Sequence, residues 1–313
     1  MTGNPLVSVV CPAYNCAQFI ASALESVLAQ SYKPLEIIIV DDGSTDSTCA
    51  LVRGYPDIRY IHQTNRGPSA ARNAGIASAR GEYIAFLDLD DLWASGKVAE
   101  QLAILESHPR AGLCFTDMYL FTDGTIREDS MFQRYRLTEQ YFGHEKVVRN
   151  PVAKLVTMNF IPTSSVIARK TALLQAGGFD EKFRKAEDWD LWLRLAIRHP
   201  IVYSHKALVL KRLHEFNTSN DYEGMNVAAL QVLEKFKKDN RAEVTKLNID
   251  LMAILRDGYQ NLGYYYLRQI CLAEAREAFQ RSLSLGFRAR ALVYFLATFL
   301  GPGFVGSIVR ARG

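Results

Sequence analysis

Short apolar runs alternate with helix-like segments along the first part of the chain. Residues 6–10, 35–40 and 83–87 are runs of strand length, and between them apolar residues recur three and four positions apart, as on one helix face. The run at 35–40 is apolar at almost every position, which indicates a strand covered on both faces. The pattern predicts an α/β fold, a Rossmann-like mixed sheet that is mostly parallel and flanked by helices.

Strand signals stop well before the end of the chain. Residues 161–168, 201–204 and 207–213 predict further strands, and beyond them only helical periodicity remains. We therefore predict an α/β domain over residues 1–222 and an all-helical C-terminal extension over residues 223–313.

Composition narrows the class of protein only slightly. Hydrophobic residues make up 49% and charged residues 22% of the 313, as in typical globular proteins, and a net charge of +4 gives no sign of a nucleic-acid partner. The five cysteines include no Cys-x-x-Cys pair, so neither a zinc site nor a disulfide framework is indicated. Because the N-terminus lacks the basic and apolar segments of a signal peptide, we expect a cytoplasmic protein.

The last apolar stretch of the chain bears on membrane contact. Residues 291–309 have no charged side chain, are flanked by arginines and are just long enough to span a bilayer. Gly301, Pro302 and Gly303 interrupt this stretch and would break a helix. A transmembrane helix, a peripheral membrane contact through the C-terminal helices at the inner face of the membrane, and a packed pair of short helices all stay open.

Acidic residues follow the apolar run at 83–87 directly. If the strand continued through Asp88-Leu89-Asp90, the two carboxylates would point to the same side. Such a pair suits Mg2+ or Mn2+, which commonly takes one or two carboxylates and completes its shell with substrate phosphates and water. A turn with a helix cap is the alternative.

Polar clusters also follow the first two predicted strands, where open α/β sheets bind their ligands. Pro12-Ala13-Tyr14-Asn15 follows the first strand, and residues 41–46 follow the second. The Tyr14 ring is suited to stack on a flat base, and the Asp42 carboxylate to accept a hydrogen bond from a uracil-like N–H. An ordinary surface aromatic and a tight turn are the alternatives.

Two common nucleotide-binding devices are missing from these positions. No Gly-x-Gly-x-x-Gly follows the first predicted strand, and no Gly-x-x-x-x-Gly-Lys-Ser/Thr loop occurs in the sequence. A Rossmann dehydrogenase and a P-loop ATPase are therefore poor candidates.

Three later clusters add charges of both signs. Residues 65–73 place a glycine-containing loop and two arginines at a helix start, which suits anions. Residues 186–190 crowd three carboxylates against a tryptophan; helix capping explains part of them, and a carboxylate there is a workable general base. His214 follows a strand and is suited to a metal or a diphosphate, although a lone histidine is more often structural.

The order of these clusters is typical of one family. Together they closely resemble glycosyltransferase family 2. The matching segments are residues 12–15, 40–46, 67–75, 81–91, 187–194 and 212–214. The resemblance covers about residues 5–220 and does not extend to the C-terminal helices.

The resemblance implies a GT-A fold and inverting transfer from a nucleotide-sugar donor, expected to be a UDP-sugar, to a glycan or lipid-linked acceptor. It assigns Asp188 as the general base, and Asp90 and His214 as residues that hold Mn2+ or Mg2+. The family's donor-binding positions fall on Pro12, Ala13, Tyr14, Asp42, Gly67, Arg72 and Asp88. Biosynthesis of a cell-surface polysaccharide or lipopolysaccharide fits this family.

Two other functions stay open at this point. A nucleotidyltransferase would use a similar nucleotide and metal site, but it would release pyrophosphate rather than a nucleoside diphosphate. A sugar-binding module without activity would keep the fold, although the presence of Asp88, Asp90 and Asp188 argues against it. A product assay separates the three functions.

Overall fold

The computed structural model describes residues 3–122 and 124–302 and contains two compact units, divided between Asn217 and Thr218. Within the described residues, all strands belong to the first unit and the second unit is helical. The predicted α/β fold with a helical C-terminal region is confirmed.

The first unit is organised around one mixed sheet. Its strands in the described residues are β1 (Val7–Ala13), β2 (Leu35–Asp41), β3 (Arg59–His62), β4 (Tyr83–Phe86), β5 (Leu92–Trp93), β6 (Leu113–Thr122), β7 (Thr125–Ile126), β8 (Ile167–Arg169) and β9 (Ile201–Arg212). The strand order is β3-β2-β1-β4-β8-β6-β9-β5, with β7 paired to β6. The first four strands in this order are parallel, whereas β8 runs antiparallel to both its neighbours. The carboxyl ends of β1, β2 and β4 therefore meet at one edge.

Helices flank this sheet. Those described in the first unit are α1 (Ile20–Leu28), α2 (Thr48–Val52), α3 (Pro68–Ser78), α4 (Lys97–Ser107), α5 (Met131–Arg134), α6 (Glu139–Phe142), α7 (Pro151–Leu155), α8 (Lys170–Gln175) and α9 (Glu187–Arg198). α3 packs closely on β1, because Gly75 has no Cβ and a methyl group there would overlap the Val10 side chain. Fully buried Val10, Ile38 and Ile84 come from the three adjacent strands, and their burial fixes the sheet edge beneath the loops.

Three predicted strands differ from the structure. The prediction of a strand over residues 161–168 is wrong, because Thr163–Ser165 form a 3-10 turn and β8 begins only at Ile167. The buried hydroxyl groups of this turn are hydrogen-bonded. Ser165 Oγ, for example, donates to the Pro162 carbonyl at 2.7 Å. Residues 201–204 and 207–213 belong largely to one strand, β9, whose pairing with β6 shifts register between Ser204 and Ala207.

The second unit is built from helices throughout its described residues. They are α10 (Tyr222–Asp239), α11 (Arg241–Lys246), α12 (Leu251–Arg268), α13 (Leu272–Leu285) and α14 (Ala289–Ala297). Gly263 of α12 lies directly under the Phe279 ring of α13, where a Cβ would have no room. The Tyr259 hydroxyl donates to Glu234 Oε1 at 2.7 Å and so connects α12 to α10.

The structure covers part of the apolar stretch at 291–309 that was considered as a transmembrane helix. Between residues 3 and 302, no described helix is long and apolar enough to cross a membrane. Residues 303–309 of the apolar stretch lie outside the described residues.

Candidate active site

The loops after β1 and β2 are held together by hydrogen bonds. Asn15 Oδ1 accepts from the Thr45 N–H at 2.8 Å, and the Asp42 N–H donates to the Ala13 carbonyl at 2.8 Å. Pro12 and Ala13 are the last two residues of β1, and the Tyr14 side chain that follows them is 54% exposed. The structure therefore presents an accessible aromatic ring beside the loop that holds Asp42.

Asp42 is a fixed acceptor rather than a free surface carboxylate. Its Oδ1 accepts from Gln63 Nε2 at 2.7 Å and from the Arg66 N–H at 2.9 Å, and its Oδ2 accepts from the Gly67 N–H at 2.7 Å. A carboxylate offers roughly four acceptor positions, so about one remains for a ligand. Gly67 precedes α3 with a φ of 92°, a conformation that favours glycine.

Arg72 joins two acidic segments that are far apart in the sequence. Its Nη2 donates to Asp88 Oδ1 and its Nη1 to Glu187 Oε1, each at 2.7 Å. The Arg72 side chain is only 5% exposed, and the charges of Asp88 and Glu187 raise its pKa although burial alone would lower it. The sequence predicts that Arg72 binds the donor directly, whereas in the structure its terminal nitrogens bind these two carboxylates.

Asp88, Asp90 and Asp91 lie in a turn, because β4 ends at Phe86. The strand does not continue through Asp88-Leu89-Asp90 as the expectation required, and the two carboxylates have different partners: Asp88 binds Arg72, and Asp90 lies against His214. Asp91 is buried, and its oxygens accept from Ser164 Oγ at 2.6 Å and the Arg212 N–H at 3.1 Å. Burial, followed by the charge of Asp90, raises the pKa of Asp91 to about 8.

Asp90 and His214 form the candidate metal centre. His214 Nε2 lies 3.0 Å from Asp90 Oδ2, and Asn217 Nδ2 lies 3.3 Å from the same oxygen. The Asp90 and His214 side chains are 27% and 16% exposed, so both are accessible from outside. Oxygen and imidazole nitrogen are ligands that Mn2+ accepts, and Mg2+ accepts the oxygen. The described residues contain no group of three or more His, Cys, Asp and Glu side chains placed to hold a metal. Mg2+ commonly completes its shell with phosphate and water.

Asp188 lies in the first turn of α9 and is half-buried. Its Oδ1 accepts from Asn159 Nδ2 at 3.2 Å and its Oδ2 from Thr163 Oγ1 at 2.9 Å. Burial, followed by the charge of Glu187, raises the pKa of Asp188 to about 6. A carboxylate with this pKa is ionised at neutral pH and is a stronger base than an ordinary aspartate.

The tryptophans next to Asp188 anchor α9. Trp189 Nε1 donates to the Leu155 carbonyl at 2.7 Å, and Trp192 Nε1 donates to the Ile161 carbonyl at 3.0 Å. Both rings are buried. These bonds hold the start of α9 against the segment that supplies Asn159 and Thr163.

Lys211 interacts electrostatically with several acidic groups of this region. Burial alone would lower its pKa, but the charges of four carboxylates raise the pKa above its usual range. Those carboxylates are Asp91, Asp88, Asp90 and Asp188, in decreasing order of effect. Lys211 could not be singled out from the sequence, because a lysine at a strand end has no distinctive pattern.

The fold is that of the GT-A glycosyltransferases. A family model described as glycosyl transferase family 2 matches residues 8–170 of the chain. The chain belongs to glycosyltransferase family 2, as the sequence resemblance predicts.

Known relatives and structures agree with this assignment. One relative is the Escherichia coli UDP-Glc:alpha-D-GlcNAc-diphosphoundecaprenol beta-1,3-glucosyltransferase, 40% identical over 124 residues that cover 39% of this chain and 49% of that enzyme. The fold resembles S. aureus TarS 1-349 in complex with UDP-GlcNAc, with a TM-score of 0.67, 18% identity and coverage of 98% and 92%. It also resembles a Pyrobaculum calidifontis mannosyltransferase in complex with GDP-Man and Mn2+, with a TM-score of 0.61, 18% identity and coverage of 98% and 86%.

Proposed function

We propose that this chain is an inverting glycosyltransferase that moves a hexose from a UDP-sugar to a hydroxyl group of a glycan or lipid-linked acceptor. The observation that supports it most is the bridge through Arg72, whose terminal nitrogens bind Asp88 and Glu187 at 2.7 Å each and so bring the turn with Asp88 and Asp90 next to the helix start that carries Asp188. This arrangement combines residues suited to a nucleotide donor and a metal with a basic carboxylate, as a single displacement requires.

The donor base is proposed to bind at the loops after β1 and β2. Tyr14 offers an exposed ring for stacking, and Asp42 retains about one acceptor position for an N–H of the base. The E. coli relative is named for UDP-Glc, and TarS binds UDP-GlcNAc. These two proteins favour a uracil base over the guanine of the mannosyltransferase ligand.

Asp188 is the proposed general base. Its carboxylate removes the proton of the acceptor hydroxyl while that oxygen bonds to the anomeric carbon. The bond from the same carbon to the diphosphate oxygen breaks on the opposite side, so the configuration inverts. Asn159 and Thr163 hold the carboxylate at 3.2 and 2.9 Å and thereby orient it.

Asp90 and His214 are the residues proposed to hold Mn2+ or Mg2+. When bound, such a metal supplies positive charge to the developing diphosphate. Lys211 places a further positive charge among the same carboxylates. Asp91, buried and bonded to Ser164 and Arg212, is proposed to hold the turn rather than the metal.

The proposed acceptor is a hydroxyl group on a glycan or a lipid-linked sugar. The E. coli relative acts on GlcNAc linked to diphosphoundecaprenol. Cell-surface polysaccharide or lipopolysaccharide synthesis is the process we propose for this chain.

Donor binding is the first experiment. A panel of UDP- and GDP-sugars is tested for thermal stabilisation with Mn2+, because a ligand that binds only the folded state raises Tm. We expect one or more UDP-sugars to raise Tm. Most of this increase should disappear in the His214→Ala variant, and also when EDTA removes the metal. If no UDP-sugar stabilises the folded protein, or if EDTA changes nothing, the donor or metal assignment is wrong.

A further inference from the structure

α14 exposes apolar side chains along one side. Val293 and Leu296 are 59% and 55% exposed, and one turn further Phe299 and Leu300 are 58% and 61% exposed. Phe287, just before the helix, is 73% exposed. We name Phe287, Val293, Leu296, Phe299 and Leu300 the α14 face.

The opposite side of α14 accounts for its packing within the second unit. Ala291, Tyr294 and Ala297 are buried, and the Tyr294 ring lies 5.7 Å from the Phe279 ring of α13. A helix that packs by one side normally presents polar residues on the other. The α14 face is apolar instead, so internal packing does not explain it, and an exposed apolar patch of this kind marks an interaction surface.

The sequence segment that carries the α14 face is basic, although Arg288 within it pairs with Asp257 of α12 at 3.3 Å. Residues 278–313 contain five arginines and neither aspartate nor glutamate. Arg290 is exposed one helical turn before Val293 and Tyr294. The Arg276 guanidinium lies 4.0 Å from the Phe299 ring centroid and also donates to Thr298 Oγ1 at 3.2 Å, which fixes the position of that exposed ring.

We propose that the α14 face docks on the surface of an anionic lipid bilayer. The helix would lie in the plane of the interface, with its apolar side chains at the boundary between headgroups and acyl chains and Arg290 among the headgroups. At nine residues α14 is about 14 Å long, too short to span the hydrocarbon core. A symmetric contact between two copies would bring the two Arg290 side chains towards each other, which favours lipid over self-association.

The test uses the full chain and sedimentation with vesicles. Vesicles of phosphatidylcholine alone are compared with vesicles containing phosphatidylglycerol. We expect Leu296→Glu to weaken binding to the anionic vesicles by about tenfold or more, since a carboxylate replaces a side chain that enters the interface. Leu174→Glu is the matched control, because Leu174 lies in a helix of the first unit and is 57% exposed; it should bind like the unmodified chain.

A second test removes a positive charge beside the α14 face, and we expect a smaller effect on vesicle binding. Arg290→Gln should reduce binding to anionic vesicles about fivefold, and added salt should reduce the contribution of Arg290. Circular dichroism checks that each variant stays folded.

Three outcomes overturn the proposal. They are absence of binding to anionic vesicles, equal binding by Leu296→Glu and Leu174→Glu, and a dimer in solution that Leu296→Glu dissociates without any vesicle binding. The last result would assign the face to a second copy of the chain. None of these measurements depends on sugar transfer, so this inference and the proposed function fail separately.

Discussion

The two units differ in which energetically unfavourable placements of side chains they contain. In the first unit, Arg72 and Asp91 are ionisable groups placed inside the protein, where each has partners from distant segments. In the second unit, Val293 and Leu296 are apolar groups placed outside. A buried charge costs free energy unless it is paired, and an exposed apolar patch usually marks an interaction surface. The first arrangement is completed within the chain, whereas the second calls for a partner from outside it.

The largest effect is expected from removing the proposed base of the first unit. Asp188→Asn keeps the size of the side chain but cannot take a proton, so transfer should fall by about 10^2- to 10^4-fold. Binding of the UDP-sugar should remain near normal, as measured by calorimetry. Asp129→Asn, in an exposed ion pair with Arg134, is the control and should retain activity. Near-normal turnover of folded Asp188→Asn would remove the assignment.

Arg72→Met tests whether the buried charges of the first unit depend on one another. The substitution leaves Glu187 and Asp88 without their partner, and we expect a loss of about 3 kcal/mol in the free energy of unfolding. Arg66→Met breaks the ion pair between Arg66 and Glu181, whose two side chains are 60% and 42% exposed. We expect it to lower the free energy of unfolding by at most about 1 kcal/mol. Urea unfolding measures both. Equal losses would show that the buried ion pairs of Arg72 contribute no more to stability than the exposed ion pair of Arg66.

Lys97→Met should stabilise the first unit at neutral pH by about 1–3 kcal/mol. Lys97 is fully buried, its Nζ lies 4.0 Å from the centre of the Trp93 ring, and that nitrogen has no hydrogen-bond partner among the described residues. Burial lowers the pKa of Lys97 to about 7 from 10.5. Between pH 7 and 10.5, Lys97 therefore binds more protons in the unfolded chain than in the folded chain. Its contribution should make the free energy of unfolding rise with pH over this range. Lys97→Met should reduce that rise, and an unchanged slope would contradict the account.

Glu187→Gln should give the smallest effect, a shift in pH dependence. The charge of Glu187 raises the pKa of Asp188, so its removal should lower that pKa and move the acidic limb of kcat/KM to lower pH. In the unmodified enzyme this limb should lie near pH 6, with activity lost as the pH falls and Asp188 is protonated. A purely structural role for Glu187 would reduce activity without moving the limb.

Hydrophobic periodicity predicts the α/β fold because it reports the fold directly. The sequence also predicts that Tyr14, Asp42 and Asp88 follow strands, where open α/β sheets bind their ligands, and the structure shows that these strands are neighbours. The different partners of Asp88 and Asp90 were not predictable, because the end of β4 at Phe86 leaves no sequence signal.

Partners from distant segments were also beyond prediction. Asn159 and Thr163 contact Asp188 from 29 and 25 residues away, and Glu187 meets Arg72 across 115 residues. None of these residue types is distinctive where it stands, and only the folded chain brings them together. The exposure of the α14 face likewise depends on which side of an apolar helix packs, and composition alone does not decide that.

The stereochemistry of the product tests the central claim most directly. The chain is incubated with an α-linked UDP-hexose and a lipid-diphosphate-linked GlcNAc acceptor, and the anomeric proton of the early product is followed by NMR while released nucleotide is measured. The account predicts a β-linked product and one UDP per sugar transferred, both absent in Asp188→Asn. An α-linked product or the release of pyrophosphate would contradict it.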